Sequence, residues 1–382
     1  MDFTAGETQQ AVAGLTAGVL DRGQAARAGE VAGARAAGAG AGAGAEDAYD
    51  RACWKEFAQA GLLALSLPAR LGGDALGVLE VAALLTEVGR RAAPVPALAT
   101  LMLGVLPVVR WGDSDLQQAL LAGIAAGDTV LTAAVREPTD PMPVRPATTA
   151  RLGNGSGDGS GVVSGVKVGV TYGAAADWIL VPASVASGGS AVVIVDPSAT
   201  GVSLLPAHSS AGAPEYTLWL DEAPVRYVLG DRADGRTVAG LYGLAVAGAS
   251  CLADGALAAA LELTTAHVRS RYQFGRPLAT FQAVAQQIAD IYIASRTLHL
   301  AALSACWQLA TGRPAGRDLD TAGYWLAAEA PAALRACHHL HGGIGMDVSY
   351  PLHRYSALVR DLVRFVGGGD YRLDRLGAWA CD

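Results

Sequence analysis

The hydrophobic pattern changes period twice along this chain, and that change limits the fold more than any single residue does. From Met1 to about Asp128 apolar positions fall at helical steps among alanines and charges. From Thr129 to about Gly230 they gather into short β-branched runs, and from Asp231 to Asp382 the helical steps return. Helices and strands that are apolar on one face must each bury it against another layer. The economical arrangement is therefore mainly α with a central β domain. It comprises an N-terminal helical domain (1–128), a middle β-barrel or sandwich (129–230) and a C-terminal four-helix bundle (231–382).

Within the middle region Val163–Tyr172, Trp178–Pro182 and Ala191–Asp196 read as strands, and the polar stretch from Gly153 to Gly161 reads as a hairpin loop. Helices are expected over Thr237–Gln273, Ala279–Thr311 and Asp318–Leu340, with a shorter one after Asp370; little chain separates them, as in an antiparallel bundle. The Ala/Gly-rich stretch Gly33–Ala45 reads as a loose loop, because its glycines cost helix stability. Further on, Phe57–Gly73 carries a helix stop at Gly61, an apolar segment, and a turn at Pro68 and Gly72-Gly73.

Composition excludes some partners. With 52% hydrophobic and 16% charged residues among 382, the chain has the makings of a compact, well-buried protein. A formal net charge of −7 offers no basic patch for nucleic acid. Five cysteines (Cys53, Cys251, Cys306, Cys337, Cys381) lack paired spacing, which suggests free thiols in a reducing cytoplasm. The start, Met1-Asp2-Phe3, lacks the basic-then-apolar order of a signal peptide. The longest apolar run, Val238–Ala253, falls short of the ~20 residues of a bilayer span and is rich in Ala and Gly. It reads as a buried helix packed through small residues, with no membrane role.

Chemistry concentrates between Arg271 and Asp290. Gly275 and Pro277 make a turn, after which Leu278, Phe281, Val284, Ile288 and Ile291 recur at helical steps and mark a buried face. Arg271, Phe274 and Gln282 thus cluster around a tight turn: a cation, an aromatic ring and an amide. Such a set suits a phosphorylated, ring-bearing ligand, since guanidinium grips phosphate with two parallel bonds. An ordinary corner between helices with a solvated arginine is the other reading of the same residues. Cys337, His338, His339 and His341 point in different directions on a helix, so they do not read as a metal site.

The run Arg271-x-Gln273-Phe274-Gly275-Arg276-Pro277-Leu278, followed by Phe281-Gln282 and Ala289-Asp290, resembles the signature of the acyl-CoA dehydrogenase family. The Phe57–Gly73 segment and the helical, β, helical order resemble that family too, over nearly the whole chain. The resemblance implies FAD as cofactor, an acyl-CoA substrate and electron-transfer flavoprotein as electron acceptor. It also implies that Arg271, Gln273, Phe274 and Gln282 reach the FAD of a neighbouring subunit. His339, Gly342 and Gly343 resemble the family's Gln-x-x-Gly-Gly segment, whose glycines let backbone approach the FAD pyrophosphate.

The family's chemistry needs a carboxylate base near the substrate α carbon. Of its two positions for that glutamate, the resemblance places Gly368 at one and Ala245 at the other, and neither residue accepts a proton. Asp370 lies two residues beyond the first; it is a weak candidate base and is expected to cap the closing helix. The family's Thr-Glu-Pro segment reads Arg136-Glu137-Pro138. Its Lys-x-Trp-Ile-Thr reads Lys167-Val168-Gly169-Val170-Thr171, which keeps only Lys167 and the flavin-side Thr171. The combination resembles the non-catalytic subunit of actinobacterial α2β2 acyl-CoA dehydrogenases of steroid side-chain catabolism. There a homologous catalytic subunit brings the glutamate and this type of chain completes the FAD site. A self-sufficient homo-oligomer using Asp370 and a flavin-free structural subunit are the alternatives.

Overall fold

The computed structural model describes residues 4–36, 49–153, 161–230 and 234–381. The first region is helical: α1 (Glu7–Ala36), α2 (Arg51–Gln59), α3 (Val78–Arg91), α4 (Leu106–Trp111) and α5 (Ser114–Leu121). Short polar side chains start several of them. Asp50 accepts the Cys53 N–H at 2.9 Å, Asp113 accepts the Leu116 N–H at 2.9 Å, and Glu80 reaches back to the Gly77 N–H at 3.0 Å. Within the stretch expected as a loose loop, α1 runs on through Ala36; residues 37–45 lie outside the described residues.

Among the described residues the middle region has eight strands: β1 (Leu131–Ala133), β2 (Thr149–Leu152), β3 (Gly161–Thr171), β4 (Trp178–Val185), β5 (Ser190–Val195), β6 (Val202–Ala207), β7 (Glu215–Pro224) and β8 (Tyr227–Leu229). They form one sheet in the order β6-β7-β3-β2-β4-β5-β8, with β1 added parallel to β4. Leu152 stands opposite Gly161 across the antiparallel β2–β3 pair; the expected loop between them falls largely on 154–160, outside the described residues. Irregularities between Lys167 and Val170 break the β3–β7 register and turn the end of β3 toward the last region.

That last region is built on α6 (Arg236–Ser270). It packs against α3 and against α7 (Gln282–Ala310), α8 (Gly316–Tyr324), α9 (Ala330–His341) and α10 (Leu352–Phe365), before α11 (Gly369–Cys381) closes the chain. By length and composition α6 could cross a membrane, but 83% of its apolar window is buried inside the protein. Small residues make that burial possible. A Cβ on Gly255 would lie 1.9 Å from the Thr86 carbonyl oxygen, and one on Gly89 would lie 2.0 Å from that of Leu252. The two backbones touch there, so Gly255→Ala should destabilise by about 1–3 kcal/mol, the usual cost of overpacking a filled core. Urea unfolding measures it, and an unchanged midpoint would mean that α3 can slide without cost.

Several helix boundaries depart from the sequence expectation. Helix α6 stops at Ser270 rather than Gln273, and α7 begins at Gln282 rather than Ala279. Between them lies a β-hairpin of β9 (Tyr272–Gln273) and β10 (Arg276–Pro277), where an interhelical turn was expected. The helix expected over Asp318–Leu340 is two, α8 and α9, joined by a widened π turn at Trp325–Glu329. Helix α10 was not anticipated, although Leu352, Val359, Leu362 and Phe365 give it a buried stripe.

Candidate functional site

The Arg271 cluster owes its shape to the hairpin. Gln273 pairs with Arg276, leaving Phe274 and Gly275 as a two-residue loop with φ of 53° and 78°. Positive φ at both central positions is the hairpin turn whose twist suits its strands. Glycine takes it freely, whereas phenylalanine does so at a cost in strain. The loop is closed below by the Leu278 N–H donating to the Arg271 carbonyl at 2.9 Å. Phe274 is 89% exposed and meets the Phe281 ring edge-on at 6.1 Å. The Arg271 side chain is exposed with no hydrogen bond or ion pair among the described residues, and Gln273 and Gln282 are exposed as well. Arg276, which would otherwise pass as a solvated neighbour, instead lays its guanidinium 4.0 Å over the Phe281 ring. Of the apolar face foreseen on α7, only Ile291 is buried. Leu278, Phe281, Val284 and Ile288 are half-buried, and Tyr292 and Ile293 are exposed.

The glycine pair adjoins this hairpin. His267, one turn before Arg271, stacks on His341 at 4.6 Å, which brings the C-terminal ends of α6 and α9 together. His341 is fixed by its Nδ1 against the Cys337 carbonyl at 2.8 Å and its Nε2 against the Tyr350 hydroxyl at 3.0 Å. Burial pushes both imidazoles below their usual pKa, so the stack is neutral near pH 7. Gly342 then leaves the helix at φ 62°, and a Cβ on Gly342 or Gly343 would meet nothing within 4 Å. His339 is exposed in the last turn of α9, while His338 bonds Ser356 at 2.7 Å. Cys337, His338, His339 and His341 do not converge on one point.

Thr171 lies elsewhere, in a cavity of about 390 Å³ between α3, α10 and the end of β3. Its apolar walls include Val88, Leu98, Leu252, Leu358 and Phe365, and its polar end holds Arg136, Glu215 and Arg364. Arg136 reaches in from the chain after β1, held by its carbonyl, which accepts the Val168 N–H at 3.0 Å. Its guanidinium lies 2.7 Å from where a Cβ on Gly169 would stand, and Gly169 itself sits at φ 68°. Arginine thus fills space that opens where the resemblance places a tryptophan. The paired changes, small to large at 136 and large to small at 169, were the signal in the sequence; sequence reasoning recorded them as two separate losses.

Sequence reasoning also missed a buried pair beneath this site. Lys167 donates to Glu137 at 2.7 Å, and Glu137 accepts the Ala147 and Thr148 N–H groups at 2.7 and 2.9 Å. Burial pushes the Lys167 ammonium down to about 8 against the pull of Glu137. Burial works to raise the Glu137 carboxyl, yet Lys167 and the Thr148 bonds hold it below the usual range. This pair anchors the segment carrying Arg136.

Neither of the residues that the resemblance places at a base position carries a carboxylate. Ala245 is fully buried on α6, and Gly368 precedes α11 at φ 87°, a conformation that disfavours a side chain. Asp370 corrects an expectation. It is an exposed first-turn residue of α11, not the residue before it, and among the described residues it makes no side-chain hydrogen bond. It does not line the cavity either.

Comparison with known proteins supports the same grouping. The sequence profile of the acyl-CoA dehydrogenase N-terminal domain matches residues 26–128, and that of the acyl-CoA dehydrogenase C-terminal domain matches 244–371. Acyl-CoA dehydrogenase FadE28 of Mycobacterium tuberculosis is 47% identical over 327 residues, covering 85% of this chain and 91% of its own. A chain of the ChsE4-ChsE5 complex from Mycobacterium tuberculosis superposes with a TM-score of 0.86 at 32% identity, covering 100% of this chain and 99% of that one. A chain of a Tcur3481-Tcur3483 steroid ACAD variant gives 0.86 at 30% identity, over 98% of both.

Proposed function

The chain belongs to the acyl-CoA dehydrogenase family, and from that premise we propose that it is a non-catalytic subunit that completes the FAD site of a homologous catalytic partner. One observation carries the reading. The Arg271–Phe274 hairpin and the Gly342-Gly343 bend are open to the outside, and this supports the reading together with Ala245 and Gly368, the residues that the resemblance places at the base positions. These residues fit FAD. A free guanidinium suits the pyrophosphate, an exposed ring suits the flavin, and two glycines leave room for close backbone approach. FAD, when bound, supplies the hydride acceptor for α,β-dehydrogenation of an acyl-CoA. Arg271 binds its phosphates, Phe274 and Gln282 flank it, and His339 and the glycines close the cradle.

The substrate in this reading is a bulky acyl-CoA of the steroid side-chain kind, a class supported by the solved steroid ACAD relative. Its partners are the catalytic homologue in an α2β2 assembly and electron-transfer flavoprotein, in the cytoplasm. Thr171 has no flavin to serve in this chain, because Arg136 occupies the adjoining space. Purified alone, the chain should carry almost no flavin and show no acyl-CoA turnover; co-purified with its catalytic homologue, it should give a full complement of FAD and activity. Substantial turnover by mate-free protein would sink the proposal. If Asp370→Asn then abolished that turnover, Asp370 would be the base after all.

A further inference from the structure

We propose that the cavity at Arg136 binds a small apolar monocarboxylate, with the Arg136 guanidinium as its anchor. This goes beyond completion of the partner's site and rests on the reading that the chain holds no flavin of its own. Three guanidiniums line the cavity (Arg136, Arg354 and Arg364) against two carboxylates, Glu215 and Asp361. Both carboxylates are engaged. Glu215 takes a two-pronged bond from Arg364, while Asp361 accepts the Ser210 and Ala211 N–H groups at 2.9 and 2.7 Å. Arg354 donates to the Arg91 and Ala92 carbonyls at 3.3 and 3.2 Å.

Arg136 alone is left over. Its side chain makes no hydrogen bond or ion pair among the described residues, and its Nε is buried without a partner. A guanidinium stays charged in any protein, so a buried donor beside an apolar wall is costly until an acceptor arrives. One excess cation matches a monoanion; a phosphate dianion would leave the cavity with one uncompensated negative charge. Carboxylate geometry also suits the guanidinium fork.

Size and lining set the rest of the ligand. At about 390 Å³ the space is roughly 2.6 times the ~150 Å³ that takes benzene, room for about fifteen carbon-sized atoms. Val88, Leu98, Leu252, Leu358 and Phe365 offer that body no hydrogen bonds, so along these walls the ligand is held by its shape and its carboxylate is held by Arg136.

The test is calorimetric titration of the full chain with decanoate and with decan-1-ol, which share the apolar body and differ in the head group. Decanoate should bind one to one and about tenfold more tightly than decan-1-ol, or about 1.4 kcal/mol. Arg136→Gln should erase that preference and leave decan-1-ol binding unchanged, while Leu358→Trp, which fills the cavity from one of its apolar lining positions, should abolish binding of both. No binding of either probe, or a preference that survives in Arg136→Gln, overturns the inference and leaves the proposed function standing. Stoichiometric FAD binding by the chain alone, displacing decanoate, overturns both.

Discussion

Replacing Asp320 by alanine is expected to lower the unfolding free energy by about 3–5 kcal/mol, the cost of stranding one member of a buried ion pair. Asp320 is 1% exposed on α8 and collects three donors from α11: Arg372 at 3.1 Å, Arg375 at 2.7 Å and Trp379 at 2.9 Å. Arg372 is itself 2% exposed, with its Nε donating to the Val366 carbonyl at 2.7 Å and one terminal nitrogen against the Met142 sulfur. Without the carboxylate, that guanidinium has no counter-charge and little water. Asp320→Asn should cost less, because its carbonyl can still accept from two of the donors. Urea unfolding of the three proteins decides the matter. A loss below about 1 kcal/mol for the alanine variant would place this pair with solvated surface bridges instead.

How much of this was legible in the sequence depended on whether the signal was local. The three-region order followed from hydrophobic period, because burial of each face is what sets that period. The Arg271 motif was legible for the same reason: turn chemistry is written in adjacent residues. A turn between two helices was expected there, and the hairpin was not, because Phe274 takes a positive φ that sequence rules assign mainly to glycine and asparagine. The Lys167–Glu137 and Arg372–Asp320 pairs were not legible at all. Each joins residues 30 or more apart, and a charged residue read alone defaults to the surface.

The candidate site divides along the same line. Arg271, Phe274, Gly342 and Gly343 could be named from sequence, but their exposure, on which the proposed role at another chain's FAD rests, could not. Conversely, Arg136 and Gly169 were visible as departures from the family pattern, yet only the fold places the guanidinium in the space beside residue 169. A helix can be inferred from one unbroken run of residues; a compensating exchange across a β-bulge needs the register of two segments. Asp370 shows the opposite error. An aspartate ahead of a helix invites a capping role, but α11 begins two residues earlier than that role requires.

Arg271→Ala should weaken FAD retention in the assembled complex roughly ten- to a hundred-fold, from about 1.5–3 kcal/mol for a charge-assisted bond to phosphate at about 1.4 kcal/mol per decade. Among the described residues, the side chain of this arginine makes no hydrogen bond or ion pair. Its backbone N–H caps α6 through His267 at 2.9 Å, a bond alanine keeps, and its side chain is exposed and unpaired among the described residues. Stability of the isolated chain should therefore be unchanged, which separates ligand binding from folding. Arg276 is an unsuitable control because its guanidinium rests on Phe281 and helps hold the hairpin. Arg269, exposed in the last turn of α6 and likewise unpaired among the described residues, removes the same charge from the same helix end without that contact. FAD dissociation followed by fluorescence, with assembly checked by sizing, should respond to Arg271→Ala and scarcely to Arg269→Ala. Equal, small losses from both would mean that FAD senses only net charge at this helix end, and that the Arg271 hairpin is a structural corner.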